Sequence, residues 1–531
     1  MALVYVKNKK NGNTYVYESN NYWDKKKQQS RSSRVCIGKL DEAGDLIPSK
    51  RFKEPQPTSP LKRGPVPETQ AKWCFYGATY LFDAVGDKLD ITKDLKSCFP
   101  DTYKQILSVA YYLILEDRNP LSRFPKWERT HKHPYEKNIA SQRSSGLFSS
   151  ITEDSKEHFF RLQGKRRTEN EYWVYDTTSI SSYSESLKQV KYGKNKDHDP
   201  LAQINLALLF GEISNLPFYY RKLPGYIPDV KTLKNLLADM DFLGFSKVKW
   251  VMDRGFYSED NVNALYQNQL KFLLATKLSL KFVRRELDQV RDTIRTRSNY
   301  NTMYQLHAHT AIISWDDTQN RPDKGDVIKE SRRMYLHIYY NGEKALEQEN
   351  KFNLLLDKLE EELISGKRKP ENEQQYNKYF DVTTTGRGTN VIAKQDAIDQ
   401  AQKDYGFFAL ISNEINEPIE ALEICRNKDL VEKGFGNLKE RLNMRRTTVS
   451  SDSALEGKLF VQFIALIYLS YIKKQMSDQC LYKEYTMQEL LDELDIIECF
   501  EQPGNKICIG EITKKQEELY HKFGVKPPTT L

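Results

Sequence analysis

Three acids, Asp176, Asp253 and Glu432, carry the chemistry that this sequence suggests. Asp253 follows a short apolar stretch, Val248-Lys249-Trp250-Val251-Met252, and precedes Arg254-Gly255-Phe256. Apolar residues at alternate and adjacent positions predict a largely buried strand there. An acid after such a strand, with a glycine to turn the chain, puts a carboxylate at the sheet edge where open α/β folds place their chemistry. Asp176 sits in a second apolar strand, Tyr172-Trp173-Val174-Tyr175-Asp176-Thr177-Thr178-Ser179. Glu432 falls within residues 425–439, which read as a helix. At 100° per residue, positions 425, 428, 432 and 439 share one helical face, and Leu430, Val431, Phe435, Leu438 and Leu442 supply the packing side. That face offers one carboxylate bracketed by Lys428 and Lys439.

Two strand-borne aspartates and one helix-borne glutamate form an oxygen donor set of the kind that hard divalent ions prefer. Two such ions, about 3.5–4 Å apart, activate a water or a 3′-hydroxyl and stabilise the leaving oxygen. Taken singly, Asp253 also reads as a turn residue and Glu432 as part of an ordinary surface ion pair. Long intervals separate the three acids, and spacing alone does not select them from the others.

The elements that must position these acids follow from the chain in order. Residues 1–65 read as a basic β-rich region, with 3–6 and 14–17 as strands flanking Asn11-Gly12, a hairpin turn signal. Lys25, Lys26, Lys27, Arg31 and Arg34 form a basic run, either a solvated loop or a phosphate-contacting arm. Pro55, Pro57, Pro60, Pro65 and Pro67 mark a stiff linker. Residues 66–170 are mainly helical, with Arg123, Lys126, Arg129 and Lys132 around Trp127, His131 and His133. This is a DNA-binding region or ordinary helical packing with a charged outside. Residues 171–277 alternate strands with helices at 229–243 and after Ser258, a candidate N-cap. Residues 278–404 interrupt that pattern and read as an inserted subdomain. The acid run Glu360-Glu361-Glu362 within it reads as a solvated helix face. The α/β pattern resumes over 405–476, and 477–531 read as helical.

Composition narrows the class. At 531 residues, 29% charged and 39% hydrophobic, the chain reads as a soluble globular protein of several domains. A net charge of +8 suits nucleic acid as a partner. Seven cysteines at 36, 74, 98, 425, 480, 499 and 508, with no C-x-x-C pair, predict reduced thiols, with neither a disulfide framework nor a zinc site. The N-terminus is charged too early for a signal peptide. The longest apolar run, 459–472 broken by Gln462, is shorter than a membrane span and reads as a buried helix.

The motifs Tyr175-Asp176-Thr177-Thr178, Val251-Met252-Asp253-Arg254-Gly255-Phe256 and 432–439 resemble those of DDE transposases of bacterial insertion sequences, in the IS-four-like group. Glu456-Gly457-Lys458-Leu459-Phe460 resembles that family's segment after the catalytic helix. The family's third motif runs Y-x2-R-x3-E-x6-K. Glu432 and Lys439 match it, whereas Cys425 stands at the Tyr position and Lys428 at the Arg position. Lysine keeps the charge but loses the planar fork that grips phosphate in two places.

The resemblance implies an α/β fold: an RNase H-like mixed sheet flanked by helices and interrupted by a β-rich insertion. It implies that Asp176, Asp253 and Glu432 hold two Mg²⁺ ions, with Mn²⁺ as a substitute. It implies that Lys428, Lys439 and Arg254 contact DNA phosphates, and that Trp315, the sole Trp of the insertion, stacks on a flipped base. The function implied is Mg-dependent cleavage and strand transfer at element ends, by a homodimer on double-stranded DNA in the bacterial cytoplasm. The alternatives are a transposase-derived protein that binds DNA without cutting it, and an RNase H-like nuclease without strand transfer.

Overall fold

The computed structural model describes residues 2–24, 28–41, 44–49, 72–117, 119–166, 171–245, 248–320, 327–385, 388–442, 444–447, 449, 451–502 and 506–529. The lysines at 25–27 and the proline-rich linker lie outside the described residues. The chain divides into two units, residues 1–71 and 72–531.

In the first unit, β1 (Ala2–Lys7), β2 (Thr14–Asp24), β3 (Gln29–Leu40) and β4 (Leu46–Pro48) form an antiparallel sheet in sequence order. The expected hairpin is present, but its loop spans residues 8–13 rather than two residues. Gly12 adopts a φ of +70°, the left-handed region that glycine enters without a Cβ clash.

The second unit opens with β5 (Lys72–Phe75), then α1 (Gly77–Lys88), α2 (Ile91–Cys98), α3 (Tyr103–Leu115), α4 (Phe124–Trp127), α5 (Ser141–Ser150) and α6 (Glu153–Lys165). Arg123, Lys126 and Arg129 are exposed here. The aromatic residues among them pack inward. His131 stacks on Trp127 with ring centroids 4.7 Å apart, and His133 Nδ1 lies 2.9 Å from Ser108 Oγ.

The sheet that matters for the site comes next. It is built from β6 (Tyr172–Ser182), β7 (Gln203–Gly211), β8 (Pro217–Pro224), α7 (Thr232–Phe242), β9 (Lys249–Met252), α8 (Glu259–Gln267) and β10 (Lys271–Thr276). β6, β7 and β8 run antiparallel, β9 lies parallel to β6, and β10 lies parallel to β9. The spatial order β8-β7-β6-β9-β10 is that of an RNase H-like sheet. Trp250, Val251 and Met252 are all buried, as expected of a parallel strand covered on both faces. Ser258 caps α8 by accepting from the Asn261 N–H at 3.1 Å.

The next stretch holds α9 (Lys281–Val290), β11 (Tyr300–Asn301), β12 (Leu306–Asn320), β13 (Val327–Tyr340), α10 (Gly342–Ile364), α11 (Glu373–Tyr379), β14 (Phe380–Thr385), β15 (Gly388–Ala393), α12 (Gln395–Gln402) and β16 (Phe407–Ser412). β16 pairs with β10 on one side and β13 on the other, so β11–β13 lengthen the core sheet. What packs around its own apolar centre is a smaller piece, with Phe352, Leu359, Leu363, Tyr376, Tyr379, Phe380 and Ile398 at its heart. The acid run on α10 departs from the expected solvated face. Glu360 and Glu361 are exposed, but Glu362 is buried, with Asn372 Nδ2 at 2.9 Å and Lys369 Nζ at 3.0 Å. The Tyr376 hydroxyl, with Lys369 and Asn372, holds its carboxyl down at about 2.

The chain ends with α13 (Pro418–Asn427), α14 (Asp429–Gly436), a π-helical turn at Asn437–Arg441, β17 (Arg446–Thr447), α15 (Asp452–Asp478), α16 (Met487–Asp495), β18 (Glu498–Gln502), β19 (Lys506–Ile509) and α17 (Lys514–Lys522). The region after 477 is therefore not purely helical. β18 pairs with β19 and reaches back to β5, a partner more than 400 residues earlier in the chain. α15 is long and apolar enough to cross a membrane by length and composition, yet 89% of its apolar window is buried within the protein. It packs against α3 and α5. Gly457 permits this, because a Cβ there would stand 2.0 Å from the Phe148 carbonyl oxygen.

Candidate active site

Register brings the two aspartates together. On adjacent parallel strands, Tyr175 of β6 stands beside Met252 of β9, so the next residue on each is an aspartate. β9 ends there while β6 runs on to pair with β17 at Ser181 and Ser182. Asp176 thus lies where β6 loses its parallel neighbour and a notch opens in the sheet.

Alternation decides which way Asp176 points. It shares a face with Val174, whose cross-strand partner is Phe210 of β7. A Cβ on Gly434 of α14 would stand 2.5 Å from the Phe210 ring, so α14 lies on that same face. Tyr175 points the other way, and its hydroxyl donates to Thr232 Oγ1 at 2.9 Å.

The turn carrying Asp253 is held from behind. Arg254–Phe256 form one 3₁₀ turn, and Phe256 packs on Tyr175 with ring centroids 4.9 Å apart. Asn261 donates to the carbonyls of Phe256 at 2.7 Å and Val230 at 2.8 Å. Arg254 is exposed, and its guanidinium makes no hydrogen bond or ion pair with a described residue, though its charge helps hold the Asp253 carboxyl down.

Each aspartate has an ammonium against it. Lys428 Nζ stands 2.9 Å from Asp253 Oδ1, and Lys196 Nζ stands 3.5 Å from Asp176 Oδ1. Burial pushes the Asp176 carboxyl up, and neither Lys196 nor the Thr177 N–H, 2.7 Å from Oδ1, fully offsets it. The neighbouring Asp253 charge adds to the rise. Burial pushes Asp253 up too, but Lys428 and the Arg254 N–H outweigh it and hold it below the usual carboxylate range.

Two residues of this cluster escape sequence reasoning. Lys196 also lies 3.1 Å from Asp229 Oδ2 and donates to the Thr177 carbonyl at 2.7 Å. Asp229 also accepts from the Thr177 hydroxyl and lies beside Gly255. The only signal for Lys196 is its place in the polar, charge-rich run Lys194-Asn195-Lys196-Asp197. For Asp229 there is none.

Glu432 is on α14, one turn beyond Lys428, and exposed. Its carboxylate makes no hydrogen bond or ion pair with a described residue. Among the described residues no group of three or more His, Cys, Asp or Glu stands together as a metal site. The structure therefore brings Asp176, Asp253 and Lys428 together and leaves Glu432 outside their contacts.

The segment around Glu432 is not one straight helix. It breaks at Lys428, between α13 and α14, and loosens into the π-helical turn at Asn437. Such turns recur at functional sites. Lys439 pairs with Asp197 Oδ2 at 2.6 Å, next to Lys196. The segment is thus pinned at Lys428 to Asp253 and at Lys439 to the loop that holds Asp176. Cys425 is partly buried, and burial pushes its thiol up to about 11.

Trp315 stands in the core rather than in this cluster. It is 8% exposed, donates from Nε1 to Asn263 at 2.8 Å and meets Phe282 edge-on.

One carboxylate within β6 and another at the end of its parallel neighbour β9, with cationic groups around them, suit an oxygen-ligated cation and a phosphate. Residues 173–468, more than half of the chain, match the family model described as "Transposase DDE domain". The chain belongs to that family. Among solved structures it is similar to the cryo-EM structure of the piggyBac transposase synaptic complex with hairpin DNA. Identity is 10% and the TM-score 0.32, over 67% of this chain and 57% of that one. The chain thus spans little more than half the length of that relative. No curated protein matches the chain.

Proposed function

We propose that this protein is a DNA transposase of the IS-four-like group that cuts phosphodiester bonds at its element's ends and joins the freed 3′-hydroxyls to target DNA. The observation that carries the reading is the juxtaposition of Asp176 and Asp253 at the notch between β6 and β9. Mg²⁺ is usually held by one or two carboxylates plus water and substrate phosphate. These two fit that role, since an ammonium already stands against each in the place of a counter-charge. Asp176 and Asp253 would hold two Mg²⁺ ions, or Mn²⁺, with Glu432 joining them from α14. When bound, such ions supply Lewis acidity to the phosphate and to the attacking hydroxyl.

The chain's own groups do the rest. Arg254 meets a strand phosphate beside the cut, and Lys428 turns from Asp253 to the same backbone. Lys439 holds the helix segment over the notch. The substrate is double-stranded DNA, held by a homodimer in the cytoplasm on the nucleoid. The placement of Glu432 favours a second reading, a protein of transposase descent that binds DNA without cutting it.

One assay separates these readings from a nuclease without strand transfer. Element ends are incubated with the protein, Mg²⁺ and a target plasmid, beside Asp253→Ala. Cleavage and joining support the proposal, binding alone supports the second reading, and cleavage without joining supports the nuclease. Equal cutting by Asp253→Ala removes the site.

A further inference from the structure

Away from the aspartates, a cavity of about 510 Å³ lies between α5, α15 and the segment after α3. That volume falls in the range of small-molecule sites, about 300–1,000 Å³. Two side chains of α15 that line it, Lys458 and Gln462, each carry a polar atom that lacks a partner among the described residues. Lys458 is half-buried, and its ammonium makes no hydrogen bond or ion pair with a described residue. Burial alone pulls it below the ordinary lysine range, with no carboxylate to offset the cost.

Gln462 is 1% exposed. Its Nε2 donates to the Leu442 carbonyl at 2.6 Å, which fixes the amide orientation and leaves Oε1 buried without a donor. An unpaired, half-buried cation and an unpaired buried acceptor each cost stability. Both are relieved by one ligand that brings an anion and an N–H donor. The hydroxyls of Ser122, Ser145 and Ser451 line the same cavity, and Leu121 and Phe148 supply apolar wall.

We propose that this cavity binds one phosphate-bearing nucleotide unit, with the phosphate on Lys458 and the serine hydroxyls and a base N–H on Gln462 Oε1. A phosphate takes charge-assisted hydrogen bonds from an ammonium, and an exocyclic amine suits the glutamine oxygen. The unit is a free nucleotide or part of a bound strand; the strand as source rests on the transposase reading. Leu442, which forms part of the wall, follows Lys439 by three residues, so the cavity adjoins the end of the catalytic segment.

The test uses the full chain with two probes, deoxyadenosine monophosphate and a short duplex of the element's end, against Lys458→Met and Lys458→Arg. Lys458→Met is expected to weaken mononucleotide binding at least about tenfold, and Lys458→Arg to retain most of it. If the source is the strand, Lys458→Met also lowers the salt slope of duplex binding by about one phosphate contact. Loss with the mononucleotide alone identifies a free nucleotide as the ligand. Lys458→Met should also unfold at a higher temperature than wild type, which separates lost binding from misfolding. Unchanged binding of both probes overturns the proposal. Cleavage is read in parallel: a wild type that binds the mononucleotide but never cuts sinks the transposase reading and leaves this one standing.

Discussion

Lys428 Nζ sits 2.9 Å from Asp253 Oδ1, so the residue that opens α14 is tied to the carboxylate that closes β9. The two lie far apart in the chain, and their contact is one of the two ion pairs that tie the Glu432 segment to the sheet side of the site. It also sets the protonation of Asp253, since burial alone would push that carboxyl up.

Lys428→Met should therefore raise the pKa of Asp253 toward or past the ordinary aspartate value. Carbon NMR of the Asp253 carboxyl across an acid titration reads this directly. The sign follows from linkage. A depressed folded pKa contributes stability above the unfolded value, and that stability is lost as pH falls through the folded one. Wild type should lose this contribution on acidification, and Lys428→Met should have none to lose. An unmoved pKa means that the pair is not formed in solution.

Asp176 behaves oppositely. Its folded pKa is raised, first by burial. Its ionised form thus costs stability once pH climbs past the ordinary aspartate value of about 3.9. Asp176→Asn should stabilise the protein at neutral pH by about 1 kcal/mol while abolishing strand cleavage, a trade expected at active sites. A variant less stable than wild type would show that the buried charge is fully compensated.

Mg²⁺ should raise the unfolding temperature of wild type, because a ligand that binds only the folded state stabilises it by mass action, about 2.7 kcal/mol at one hundred times its Kd. Asp253→Asn should lose most of that shift. Glu432→Gln tests the proposed entry of Glu432. Retention of the shift with loss of cutting places its entry after DNA binds, and loss of both places it in the free protein. Chelation should return wild type to its metal-free melting temperature.

Gly457→Ala should destabilise by about 1–3 kcal/mol, the usual range for overpacking. The added methyl meets the Phe148 backbone, which cannot swing aside as a flexible side chain would. Chemical denaturation measures the loss, and a neutral result would mean that α5 slides easily on α15.

Acid should unfold the protein partly through His337. It is fully buried, with Nδ1 2.9 Å from Thr310 Oγ1 and Nε2 3.1 Å from the Ile415 carbonyl, and burial lowers its pKa to about 4. The unfolded chain takes up that proton near pH 6.5, so stability falls as pH drops from about 6.5 to about 4. Replacing His337 with Gln should flatten that part of the pH–stability curve.

Local pattern alone determined a good deal here. Alternating apolar residues placed the strands that bear Asp176 and Asp253, helical spacing placed 229–243 and 343–366, and Ser258 marked the start of α8. These features depend on neighbours a few residues away, which is the range over which periodicity and capping act. Tertiary structure decided the rest. Only strand register set Asp176 beside Asp253, and only pairing with β16 drew β13 into the core sheet. The return of β18 to β5 and the coupling of Lys196 to Asp176 and Asp229 likewise rest on partners well beyond the range of local pattern. No local rule names such partners, because side-chain type tells what a residue can bind and only the folded backbone tells what it reaches.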